Sequence, residues 1–184
     1  MIHDDRVGDR AMRIREQLRS RKDALVGRWL DEVLDTYPDK GAEAFRREQD
    51  PFANPVGHAM RMGTSGIVES LLSGTLDEDT LRHHLNEMIK VRAVQQFAPS
   101  EAVGFVFRLK SAIRAELAEL PRDPESSAEL AEFEQDVDRL ALLAFDLFVQ
   151  HREQVYELRV NEMKRRVSWV VERLNQRAGS GEGF

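Results

Sequence analysis

The sequence has no cysteine. Disulfides, thiolate nucleophiles and cysteine-ligated zinc are excluded, and the composition fits a reducing compartment. Long apolar runs are missing too. No stretch approaches the ~20 residues that span a bilayer, and Met1–Arg15 lacks the apolar core of a secretory signal. No membrane insertion is expected, and the expected location is cytoplasmic. Basic charge is not in excess: 27 Lys and Arg stand against 33 Asp and Glu, so general nucleic-acid binding is not implied. Polar–apolar alternation never lasts a strand's length. Glycine-rich phosphate loops, HExxH and the nucleophile elbow are absent, as are inward-facing Glu-x-x-His pairs for a di-iron bundle. No catalytic residue, metal ligand or cofactor is therefore expected, and the chain is read as not an enzyme.

What remains is helical periodicity. The chain is expected to be all-α, one helical domain over 10–155, a projecting helix over 156–178 and a flexible tail over 179–184. The central stretch is Ile89–Lys110. Its second half places Ala102, Phe105, Val106, Leu109, Ile113, Leu117 and Leu120 near a 3.6-residue period. Pro99 suits the first turn of that helix, with Ser100 the alternative cap. Gly104 inside it costs about 1 kcal/mol relative to Ala, and a close helix crossing is its expected reason.

A first helix is predicted from Arg10 to Thr36, with Met12 or Ile14, Leu18, Leu25, Trp29, Leu30 and Val33 on one face. Its N-terminal half is basic, which opposes the helix dipole; a solvated face outweighs an acidic partner surface as the reading. Tyr37-Pro38 ends it. A short helix over Gly41–Glu48 follows, then the stiff turn Asp50-Pro51-Phe52-Ala53-Asn54-Pro55, with Phe52 as expected buried anchor and Asn54 capping a helix opened by Pro55. That helix ends at Gly74. Its Gly57, Gly63 and Gly66 imply close packing or, less favoured, a ligand pocket. Thr75–Glu78 reads as a capping box for the next helix. Arg92 is expected to reach helix-end carbonyls or a core carboxylate.

After the break at Leu120–Pro124, no Pro or Gly occurs until Gly179. Leu130, Phe133, Val137, Leu140, Ala144, Phe148 and Val155 form a core stripe. Leu142, Phe145, Val149 and Tyr156 form a second, continued by Val160, Met163, Val167, Val170 and Leu174 in 3-4-3-4 spacing. Two stripes need two surfaces, and a second copy of the helix is the expected cover for the outer one. β-Branched Val160 and Val167 favour two strands. Arg159, Lys164, Arg166 and Arg173 flank the distal seam, so a parallel homodimer sets Arg159 against a second Lys164; an acidic partner would complete the coil.

These motifs together resemble one family: Trp29-Leu30 with Tyr37-Pro38, Asp50–Gly57, Ile89–Gln95, and Pro99–Phe107. The resemblance is to the N-terminal domain of RsbRD-type RsbT co-antagonist proteins, relatives of the stressosome RsbR proteins, over residues 12 to 155. It implies a sensory or regulatory input module acting through protein partners in a bacterial stress response. In the RsbR relatives it implies a globin-like, haem-free, dimeric domain whose exit helix enters a phosphorylatable STAS domain. The sequence stops after the exit helix, so phosphorylation sites and kinase sequestration do not carry over. Phe52, Asn54, Pro55, Arg92, Gln95 and Pro99 are the family-motif positions. A homodimer with a protein signalling partner is expected. The alternative is a small-ligand or haem sensor, for which His58, His83, His84 and His151 are weak candidates.

Overall fold

The computed structural model describes residues 14–48, 50–74, 77–95, 97–119 and 123–179, without the side chains of Asp39, Lys40 and 174–179. Among the described residues there are seven helices and no strand: α1 (14–20), α2 (Lys22–Leu34), α3 (Asp39–Arg47), α4 (Pro55–Ser73), α5 (Glu78–Val94), α6 (Pro99–Glu116) and α7 (Pro124–Gly179). The expected all-α class is what the chain adopts.

Five helices close a ring. α2 packs on α4, α4 on α5, α5 on α7, α7 on α6, and α6 back on α2. The predicted apolar faces fill its centre. Ile14, Leu18, Leu25, Trp29 and Val33 are buried, as are Ala102, Phe105, Val106, Leu109, Ile113 and Leu117 from α6, and Phe133, Val137, Leu140, Ala144 and Phe148 from α7. Met12 and Leu120 lie outside the described residues. Burial on this scale is the main favourable term in folding. Trp29 stacks on Phe105 with ring centroids 6.3 Å apart and donates its indole N–H to the Phe105 carbonyl at 3.0 Å.

The helix starts follow the sequence, with shifts. Asn54 accepts the Gly57 N–H at 2.8 Å, and Pro55 is the first residue of α4. Asp77, one residue before Glu78, caps α5 by accepting the Thr80 N–H at 3.0 Å; Thr75 and Leu76 lie outside the described residues. α6 opens at Pro99, not at Ser100, and the Glu101 carboxylate accepts the Ala98 N–H at 3.1 Å. α7 starts at Pro124, and Asp123 accepts the Ser126 N–H at 2.7 Å. Gly74 ends α4 with φ 89°, the left-handed value glycine favours.

The single first helix is corrected to two. A turn at Arg21 separates α1 from α2, with the Arg21 N–H bonded to the Leu18 carbonyl at 3.2 Å. The basic half of this region is neither a plain solvated face nor a bare patch. Arg19 donates to the Leu72 carbonyl at the end of α4, at 3.1 and 2.7 Å. Arg21 donates to the Glu116 carbonyl at the end of α6. The same device recurs: Arg61 reaches the Phe45 and Glu48 carbonyls at the end of α3, Arg152 the Ala93 carbonyl at the end of α5, and Arg92 the Val33 carbonyl at the end of α2. The last carbonyls of a helix lack intrahelical partners and carry the negative end of its dipole. Arginines from other helices satisfy them, which knits the ring together at its corners.

Two glycine expectations separate. A Cβ at Gly63 would sit 2.2 Å from Met88 Sδ, and one at Gly66 2.4 Å from the His84 ring, so α4 and α5 touch through these glycines. At Gly104 nothing lies within 4 Å. Its expected role at a close crossing is corrected, because the face of α6 that carries it looks outward.

Candidate functional site

Two places hold the residues that the sequence singled out. The first is inside. Arg92 lies near the end of α5 and is 0% exposed. Its guanidinium is 4.6 Å from the Phe105 ring centre, 4.9 Å from Phe97 and 5.0 Å from Tyr37. One terminal nitrogen donates to the Thr36 hydroxyl at 2.6 Å and the Val33 carbonyl at 3.3 Å; the other donates to the Glu101 carbonyl at 3.2 Å. Of the two expected kinds of partner, a helix-end carbonyl is met at Val33, joined by the Glu101 carbonyl in the first turn of α6, and among the described residues no carboxylate joins them. Three ring faces supply the remaining negative potential. Burial pulls this guanidinium below the ordinary arginine range, Tyr37 opposes that, and Arg108 adds to it. Burial likewise raises the Tyr37 hydroxyl, with Arg92 opposing. Arg92 Nε and Tyr37 Oη have no hydrogen-bond partner among the described residues.

Pro99 opens α6 beside this cluster, and Gln95 ends α5 exposed at its rim. Asn54 is buried, and its amide donates to the Phe45 and Glu48 carbonyls at 2.9 and 2.7 Å. Phe52 is corrected: it is 95% exposed. The Phe52 N–H turns onto the Asp50 carboxylate at 2.9 Å, which points its ring out, while Asn54 and Phe45 anchor the loop. Tyr37 meets Phe45 edge-on at 5.2 Å.

The second place is the outer side of α6 and α7. Leu142, Phe145 and Val149 are 69%, 46% and 39% exposed. Ion pairs fix the register of the two helices: Arg114 on Glu134 at 2.6 Å and Lys110 on Asp138 at 2.7 Å. Continued by one turn toward the start of α6, that antiparallel register brings Phe107 to the level of Leu142, and Gly104 lies one turn further. Phe107 is 48% exposed, and the sequence reading overlooked it. Its signal was there: it sits one turn before Lys110 on the face opposite the core stripe.

The outer stripe runs on. From Tyr156 to Arg173 every described residue of α7 is exposed, Val160, Met163, Val167 and Val170 among them; the Leu174 side chain lies outside the described residues. The spacing from Leu142 to Leu174 repeats every 18 residues when Arg152 is counted in the row: 142 matches 160, 145 matches 163, 149 matches 167, 152 matches 170, and 156 matches 174. Eighteen residues are five turns at 3.6 per turn, so the whole row stays on one side of α7, while its distal part, 160 to 174, taken alone keeps the 3-4 spacing of a heptad seam. Arg152 turns out of the row, over Phe148 and Tyr156 at 5.9 and 5.0 Å, to reach Ala93.

The histidines are not gathered. His83 is exposed, and His84 packs on Gly66 with its ring 5.5 Å from that of His83. Burial, then His83, holds the His84 imidazole below the usual histidine range. His151 lies on α7, where its Nε2 is 2.9 Å from the Asn86 side-chain oxygen, and His58 is on the first turns of α4. Among the described residues no three His, Cys, Asp or Glu side chains group as metal ligands, and no helix is long and apolar enough to cross a membrane.

Residues 23–163, most of α2 through the first part of the exposed stretch of α7, match the family described as the RsbT co-antagonist protein rsbRD N-terminal domain. The chain belongs to this family. It is a stressosome-related regulatory module, and RsbT co-antagonists work through protein partners. The family is not a known catalytic one. No curated protein and no solved structure matches the chain. The RsbRD N-terminal match contains both places described above, the caged Arg92 and the outer face of α6 and α7.

Proposed function

We propose that this RsbRD N-terminal domain is a non-catalytic input module that acts as a homodimer and signals through α7, in a bacterial stress response. The observation that carries it is the apolar patch of Phe107, Leu142, Phe145 and Val149 on one outward face. Contiguous exposed apolar surface of this kind marks protein interfaces. Gly104, one turn away, with nothing within 4 Å, leaves a hollow that a side chain of a second copy fits. On this reading residues 10–155 are the sensing domain, globin-like and without haem as the wider family implies, and 156–178 are the output helix.

The test is solution mass by light scattering at about 100 μM. The intact chain is expected to be a dimer, and Leu142→Asp with Phe145→Asp a folded monomer. A version ending at Gln154 is expected to stay dimeric. A monomeric intact chain overturns the proposal.

A further inference from the structure

We infer that the exposed end of α7 is one half of a heteromeric coiled coil, and that its partner is an acidic amphipathic helix. This rests on the reading of α7 as the output helix and names the partner chemistry of that surface.

The first ground is exposure. An isolated helix has no core of its own and depends on packing an apolar face for most of its stability. Yet Val160, Met163, Val167 and Val170 are all exposed. They hold a heptad seam with β-branched residues at the first position of each repeat.

The second ground is charge. Arg159, Arg166 and Arg173 recur every seven residues, immediately before the seam positions 160, 167 and 174. They form one basic column along one edge of the seam. Residues 156–179 carry six Lys and Arg against three Asp and Glu, a net +3 in a chain of net −6. The rest of the chain is therefore −9, opposite in sign to the segment. The helix dipole accounts for cations only in the last turn, so it explains neither Arg159 nor Arg166. Self-pairing of this segment in parallel sets Arg159 against Lys164, and antiparallel pairing sets the column against itself; like charges at these positions select against a distal coil made of two copies, while the dimer proposed above rests on the domain face. A partner with Glu or Asp in the facing column gives Arg159 and Arg173, the latter lying over the Trp169 ring, a carboxylate, and gives Arg166 a second one beside Glu162. A lipid surface is the less favoured cover, because Glu162 and Glu172 lie on the polar side of the helix, where a membrane-surface helix gathers lysine and arginine.

The probe is a designed peptide of about four heptads with Ile and Leu in the seam and Glu at both flanking positions, set against the same peptide with Lys there. By calorimetry on the full chain, the acidic peptide is expected to bind at least about tenfold tighter than the basic one, and to weaken severalfold from low to high salt. Arg159→Glu with Arg166→Glu and Arg173→Glu is expected to invert the preference, with helix content by circular dichroism unchanged. Met163→Asp with Val170→Asp is expected to abolish binding of both peptides. Equal binding of the two peptides, no binding of either, a preference that survives charge reversal, or capture by anionic phosphatidylserine vesicles as strong as by the acidic peptide overturns the inference. The same titration on the Leu142→Asp, Phe145→Asp chain separates it from the dimer proposal: peptide binding is expected to persist whatever the mass of that chain.

Discussion

Arg92 and Arg166 are the same residue type on helices of the same chain, and they live in opposite conditions. Arg92 is sealed inside with three aromatic rings, two carbonyls and a hydroxyl. Arg166 lies on an exposed helix and pairs with Glu162, one turn back on the same face. Desolvating a guanidinium costs several kcal/mol unless every side of it meets a compensating group. Arg92 meets most of that need without a counter-ion: two carbonyls and a hydroxyl take its terminal nitrogens, three ring faces pack on it, and only Nε is left without a partner among the described residues. The distal arginines carry no such cost, and so their pattern is free to serve recognition. The comparison sets a buried cation that is part of the scaffold against an exposed row of cations that, on the inference above, a partner helix reads.

The comparison breaks most easily at Arg92. Arg92→Ala should lose about 3 kcal/mol or more, since it leaves a large void among Tyr37, Phe97 and Phe105 and removes three hydrogen bonds. Arg92→Met, which keeps the bulk, should lose less; urea unfolding measures both. An Arg92→Ala protein of unchanged stability would detach the cage from the scaffold. Next are the corner arginines. Arg19→Ala and Arg21→Ala should each lose about 1 kcal/mol, the scale of a charge at a helix end, read as a shift in urea midpoint. The smallest effect sharpens the other side: Arg159→Ala, Arg166→Ala and Arg173→Ala together should change stability by less than about 0.5 kcal/mol. A larger loss would mean that the row supports the fold.

Most of the fold was legible because burial leaves a periodic trace. The faces of α2, α6 and α7 were readable from spacing alone, and the stop signals Pro38, Gly74 and Pro99 fell where the helices turn. The corner arginines were not legible, because their partners are backbone carbonyls far away in sequence: Arg19 and Leu72 are 53 residues apart, Arg21 and Glu116 95 apart. Phe52 misled for a related reason. An aromatic residue in a proline-rich turn reads as an anchor, but the direction of a loop side chain is set by the local turn, here the Asp50 carboxylate under the Phe52 N–H. Gly104 misled because the absence of a side chain marks close approach equally for a neighbour within the molecule and for one outside it. At the family-motif positions the sequence pointed to Arg92 and to the seam of α7, yet it missed Phe107, whose place level with Leu142 follows only from the tertiary register of two ion pairs.

α7 is one unbroken helix of 56 residues, and its first half is a stave of the ring. Nothing in it works as a hinge: no Pro or Gly lies between Pro124 and Gly179. About 24 residues extend beyond Val155, roughly 36 Å at 1.5 Å per residue. It is therefore a rigid rod whose longer part is gripped by α5 and α6. A tilt of about 5° within the ring would swing the far end by about 3 Å, more than half the 5.4 Å pitch of one helical turn. A disturbance too small to unpack the core is thus carried outside it as a displacement that a partner helix can read.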